Sequence, residues 1–140
     1  MVQSIGVLGR IDAIVPVPLH STKLRRRGYN QAHLLAESIG DALDVRVIPM
    51  LVRHRETESQ VALSREDRSA NVAGAFSLDP AWSPAPGNRY LLVDDVRTTC
   101  ATLNACAREL LKTGPSGIVV MTLAFDVPNR ELAQWLEERR

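Results

Sequence analysis

Two hydrophobic rhythms alternate along the chain. IDAIVPVPL, residues 11–19, is apolar and β-branched at nearly every position, as a strand covered on both faces would be, and Pro16 and Pro18 stop it. HSTKLRRRGYN, residues 20–30, is polar and basic and predicts a loop. From Asn30 the spacing turns helical: Leu34, Leu35, Ile39 and Leu43 share one face, with Glu37 and Asp41 on the other. VRVIPMLVRH, residues 45–54, returns to strand character, with Pro49 marking an edge or an interruption. RETESQVALSREDRSAN, residues 55–71, has little continuous apolar pattern and predicts a long loop, of a length that is usually functional or mobile.

The second half repeats the alternation. AFSL is a short strand, and DPAWSPAPGN, residues 79–88, a proline-rich surface connection. YLLVDDV, residues 90–96, reads as a buried strand. Residues 101–113 form a helix with Leu103, Cys106, Ala107, Leu110 and Leu111 inward, stopped by Gly114 and Pro115. GIVVMTLAF, residues 117–125, predicts a fully buried strand, and residues 129–140 a closing helix that packs Leu132, Trp135 and Leu136 inward. Apolar strands alternating with helices imply an α/β domain with a mainly parallel central sheet flanked by helices, and residues 1–140 as a single domain.

Composition narrows the picture only a little. A chain of 140 residues, 45% hydrophobic and 24% charged, is large enough for one proper core. A formal net charge of +1 argues against a strongly basic nucleic-acid coat. Lys23 and Lys112 are the only lysines, so the basic side chains are nearly all arginine forks, which suit phosphate. Two cysteines, Cys100 and Cys106, are too few for a structural zinc site. No run reaches the eighteen or so apolar residues of a membrane span, and MVQSIGVLGR lacks the pattern of a secretion signal. A cytoplasmic protein is the expectation.

Chemistry concentrates in YLLVDDVRTTCATLNAC, residues 90–106. In an open α/β sheet, ligands bind beyond the carboxyl ends of strands, near helix N-termini. Asp94 and Asp95 stand at such an end. Residues 96–102 then turn into a helix, with Thr98, Thr99 and Thr102 offering hydroxyls where unpaired backbone N–H groups favour an anion. Two carboxylates beside a phosphate cradle suit a sugar phosphate, and a divalent cation would moderate their repulsion. Each residue also has a plainer use: Asp95 or Thr98 as a helix cap, Asp94 as a solvated charge.

This string resembles the phosphoribosyl-diphosphate (PRPP) binding motif of type I phosphoribosyltransferases. With IVPVPLHSTKLRRRGYNQAHLLA before it and RETESQVALSREDRSANVAGAF between, the chain resembles the ComF family of competence-related proteins across residues 11–125. The resemblance implies a type I phosphoribosyltransferase-like fold and assigns roles. Asp94 and Asp95 would hold the ribose hydroxyls, directly or through water on Mg²⁺, which is the implied cofactor. Val96, Arg97, Thr98, Thr99, Cys100, Ala101 and Thr102 would form the 5′-phosphate loop. Arg25, Arg26, Arg27 and Gly28 would lie near the pyrophosphate. Residues 55–71, with Arg65 and Arg68, would be a flexible hood.

Two departures stand out. The family's phosphate loop normally has glycine where this chain has Cys100, and a side chain there restricts backbone dihedrals and close approach. Family members also often carry an N-terminal zinc-binding cysteine segment that this sequence does not contain. Three functions follow from the reading: phosphoribosyl transfer from PRPP to an unidentified acceptor, PRPP or nucleotide sensing without turnover, and a role beside the DNA-uptake machinery. For the last, Arg25, Arg26 and Arg27 with Arg53 and Arg55 are candidate contacts. Two tyrosines and two tryptophans give few stacking platforms, so direct DNA binding is weakly supported.

Overall fold

A computed structural model of the chain describes residues 9–55, 72, 74–97 and 100–125. Its centre is a parallel three-stranded sheet in the order β1–β4–β5, where β1 is Ala13–Pro16, β4 is Arg89–Arg97 and β5 is Gly117–Phe125. Ile14 lies opposite Leu91, and Leu91 opposite Val119, so apolar residues of all three strands stack in register. An isolated parallel bridge from Ile14 to Val47 carries the sheet one step further beyond β1. It is held by Ile14 N donating to Arg46 O at 3.0 Å and Ile48 N donating to Ile14 O at 2.8 Å.

The predicted strand over residues 45–54 is therefore divided. Pro49 has no N–H to continue a ladder, and after it the chain leaves the parallel sheet. Only β2, Leu51–Arg53, is regular, and it pairs antiparallel with β3, Phe76–Leu78, in a separate hairpin-like sheet.

Period-two alternation sends each strand's side chains to two different cores. On one face Ala13, Val15, Tyr90 and Leu92 meet Leu51 and Phe76 of the hairpin, and Leu103, Cys106 and Leu110 of the helix α3, Ala101–Leu111. On the other, Ile14, Leu91 and Val93 meet Ala36 and Ile39 of α2, Gln31–Leu43. Burying a side chain of this size stabilises by about 1.5–3 kcal/mol, so these two layers hold the frame on which the strand ends are displayed.

Four expectations need correction. Residues 20–30 are not a loop throughout: Ser21–Arg27 is a helix, α1, with no buried residue. Hydrophobic periodicity cannot reveal a helix that buries no face. In α2, Leu35, Ile39 and Leu43 face the core as read, joined by Ala32, Ala36 and Gly40, but Leu34 turns outward at 49% exposure. Small residues let α2 sit close to the chain that follows; a Cβ on Gly40 would lie 2.7 Å from the Val45 carbonyl oxygen. In α3, Leu111 points outward at 60% exposure. Finally, β5 is not fully buried. It is the outer strand among the described residues, with Val120 and Leu123 exposed. The helix read at residues 129–140 and nearly all of the hood, residues 56–71 with Arg65 and Arg68, lie outside the described residues.

Candidate functional site

The site is built at the carboxyl ends of β1 and β4. Val17 N donates to Val93 O at 2.9 Å, so the chain leaving β1 stays beside β4 up to the aspartates. Strand β4 does not end there. Val96 and Arg97 continue the ladder opposite Ala124 and Phe125, whereas the sequence had suggested that the turn begins at Val96. Parallel pairing with an apolar partner strand extends β4 past two charged residues.

Asp94 lies opposite Thr122 in register, and its Oδ1 accepts the amide of Asp95 at 2.9 Å. Asp95 Oδ1 in turn accepts the amide of Val96 at 2.8 Å. Each carboxylate is thus anchored to the backbone one residue on. Burial pushes the Asp94 carboxyl up to about 7, with the negative charge of Asp95 and a hydrogen bond between the two carboxyls adding to the rise. The Asp95 amide and the positive charge of Arg53 pull the other way. At neutral pH Asp94 therefore sits between its neutral and ionised forms, ready to ionise fully beside a cation.

Arg53 reaches this neighbourhood from the hairpin. Its guanidinium carbon is 5.3 Å from the centroid of the Phe76 ring, the residue directly opposite it in the β2–β3 register. Its Nε donates to Arg55 O at 3.3 Å. Sequence reading singled out Arg53 only as a possible nucleic-acid contact. Its proximity to Asp94 depends on pairing two strands separated by more than twenty residues, which no local pattern announces. Beneath the site, Cys106 is fully buried, and burial together with the charge of Asp94 pushes its thiol up.

The phosphate-loop candidates divide into described and undescribed members. Thr98 and Thr99 lie outside the described residues. Cys100 is the N-cap of α3 with φ 61° and ψ 4°, a left-handed conformation, and its side chain makes no capping bond. It takes up the backbone shape that glycine adopts freely, at a steric cost of about 1–2 kcal/mol for an L-residue. Ala101 and Thr102, half-buried, form the first turn of α3.

The basic candidates sit on α1. His20 caps it, with Thr22 N donating to His20 Nδ1 at 3.3 Å, and Gly28 ends it at φ 85°. A Cβ on Gly28 would meet no protein atom within 4 Å, and its positive φ is the conformation glycine adopts freely. Arg25, Arg26 and Arg27 are exposed in the last turn, where cations favour the helix dipole. Arg27 also hydrogen-bonds Gln31. Asn30 locks the junction to α2: its Oδ1 accepts Ala32 N at 3.1 Å, and its Nδ2 donates to Val17 O at 3.0 Å. One side chain thereby caps a helix and ties it to the strand exit leading to the aspartates.

No family model matches the chain. Individual proteins do. Competence protein F of Haemophilus influenzae is 42% identical over 114 residues, which is 81% of this chain and 50% of that protein. The matched stretch is similar to that protein over most of this chain's length. DNA utilization protein YhgH of Escherichia coli K12 is 36% identical over 113 residues, 80% of this chain and 48% of its own. Competence protein ComFC of Bacillus subtilis is 36% identical over 106 residues, 76% and 41% respectively. The chain spans about half the length of the curated relatives it matches. Among the described residues, no helix is long and apolar enough to cross a membrane.

Proposed function

We propose that this ComF-like domain has a type I phosphoribosyltransferase fold and binds PRPP with Mg²⁺. The observation that carries the reading is the half-buried Asp94 carboxylate, held next to Asp95 at the carboxyl end of a parallel strand that leads to the N-terminus of α3. Asp94 and Asp95 would hold the ribose 2′- and 3′-hydroxyls. The first turn of α3, with Cys100, Ala101 and Thr102, would receive the 5′-phosphate at unpaired amides. The left-handed backbone at Cys100 supports this, because the conformation that glycine would supply is retained.

The donor set fits Mg²⁺ in one particular way. Among the described residues no cluster of three or more ligating side chains exists, so Mg²⁺ would be held by Asp94 and Asp95 together with water and substrate oxygens. When bound, it would neutralise charge on the departing pyrophosphate. The chain's own residues would orient the ribose and screen the leaving group, with Arg25, Arg26 and Arg27 as candidates for its far end. In transfer, the bond from the anomeric carbon to pyrophosphate breaks and one to an unidentified acceptor forms. The names of the relatives, which speak of competence and DNA utilisation, point to those processes as the setting in which an acceptor would be sought.

Calorimetric titration of PRPP with Mg²⁺ tests the reading. Saturable binding that Asp94→Asn or Asp95→Asn weakens by tenfold or more is the expected result. Absence of binding would remove it and leave a role through partners in DNA uptake. Pyrophosphate release across a panel of acceptors then separates transfer from sensing.

A further inference from the structure

A concavity of about 380 Å³ opens where α1 meets α2, with Leu19, Leu24, Tyr29, Asn30, His33 and Leu34 among its lining. Three of its large apolar side chains are well exposed: Leu24 at 41%, Tyr29 at 46% and Leu34 at 49%. Two of its polar side chains are already engaged, which leaves the Tyr29 hydroxyl. Asn30 caps α2 and bonds Val17 O, and His33 Nε2 lies 3.3 Å from Glu37 Oε1. A sugar or nucleotide would find little to bond with; aliphatic side chains would find a wall of leucine and proline.

The charge around it is uneven. Helix α1 holds Lys23, Arg25, Arg26 and Arg27 and no acidic residue, while at the α2 end Glu37 lies against His33. Arg27 stands one turn beyond Leu24 on the same face of α1, so a fixed positive charge borders the apolar floor.

We infer that this groove is a docking site for an acidic amphipathic helix of a partner protein, whose apolar residues at i, i+3, i+4 and i+7 enter between Leu24, Tyr29 and Leu34 while flanking carboxylates meet α1. That is the helix-in-groove mode, with anchors supplying affinity and rim charges supplying orientation and encounter rate. Single-stranded nucleic acid fits less well, since stacking calls for a row of aromatic platforms and this groove has Tyr29 alone. The inference does not depend on PRPP binding.

The test is fluorescence anisotropy of the whole chain with a labelled helical peptide bearing leucines at those spacings and flanking glutamates. A glutamine-for-glutamate version and a labelled oligothymidine serve as comparisons. The expected result is saturable binding of the acidic peptide, weakened about tenfold by Leu24→Ser and by Leu34→Ser. It should also fall with the glutamine peptide and with Arg27→Glu, and stay unchanged with Arg108→Glu on exposed α3 surface. Leu34→Ser should keep the circular-dichroism spectrum and cooperative thermal unfolding of the parent, which shows that the variant is folded, and should leave any PRPP titration as it was, which separates this site from the aspartates. No saturation, or binding indifferent to Leu24 and Leu34, overturns the inference. So does leucine-dependent binding of oligothymidine in place of peptide, which would reassign the face to nucleic acid.

Discussion

Arg53 lies directly across the hairpin from Phe76, with its guanidinium over the ring, and from that position its charge holds the Asp94 carboxyl lower than burial alone would. Replacing Arg53 by methionine keeps the apolar stem and removes the charge. Asp94 is then expected to titrate above its present value of about 7. Phe76→Leu, which removes the ring face but not the cation, should raise it less. Carboxyl-carbon NMR titration, with Asp94→Asn to assign the signal, checks both; an unmoved Asp94 in the Arg53 variant would refute the coupling.

The same carboxyl sets a pH dependence of stability. An aspartate raised from 3.8 to about 7 on folding keeps its proton in the native state while the unfolded chain loses it. Its contribution is therefore greatest below about pH 4, declines as pH rises to about 7, and is constant above. The full span corresponds to about 4 kcal/mol as an upper value. Asp94→Asn should remove this decline, so urea unfolding at acid and at alkaline pH should show the variant gaining on the parent as pH rises. Ligand affinity should move oppositely: if Asp94 must be ionised, PRPP with Mg²⁺ binds more tightly up to about pH 7 and then levels.

Cys100→Gly should relax the left-handed backbone at the start of α3. The removed steric cost exceeds the added freedom of the unfolded chain, for a net gain of roughly 0.5–1 kcal/mol in stability. Cys100→Val, branched at Cβ in the same conformation, should lose a similar amount or more. Thermal unfolding of the three proteins orders them. The glycine variant should also bind PRPP at least as tightly as the parent, because its amides gain closer access to phosphate.

Asn30→Ala deletes both the α2 cap and the bond to Val17 O. The expected cost is about 1–3 kcal/mol, from a lost cap and an unpaired carbonyl. Asn30→Asp keeps the acceptor for Ala32 N but not the donor, and should fall between. Chemical denaturation measures this, and equal stability of all three would show that the junction is not held here.

The alternation of apolar strands and helices was legible because β1, β4 and α3 each bury a regular face, and period alone finds such elements. Helix α1 was not, since Leu24 is its one apolar residue and it buries nothing. The face of α2 was legible in Leu35, Ile39 and Leu43 but not in full: Ala36 and Gly40 look featureless in sequence, yet their small size lets that side approach the sheet. At the site, Asp94, Asp95 and Cys100 were found because they are consecutive with a strand end and a helix start. Arg53 joins them through a long-range strand pairing, and long-range pairing is the information a local pattern lacks.

The burial of Cys106 has a practical consequence. With only two cysteines in the sequence and this one sealed beneath the aspartates with its thiol pushed up, a maleimide dye will react at Cys100. The native chain thus comes with a single addressable reporter at the mouth of α3. Its labelling rate, slowed when an anion settles on the first turn, would read occupancy of that turn without one engineered residue.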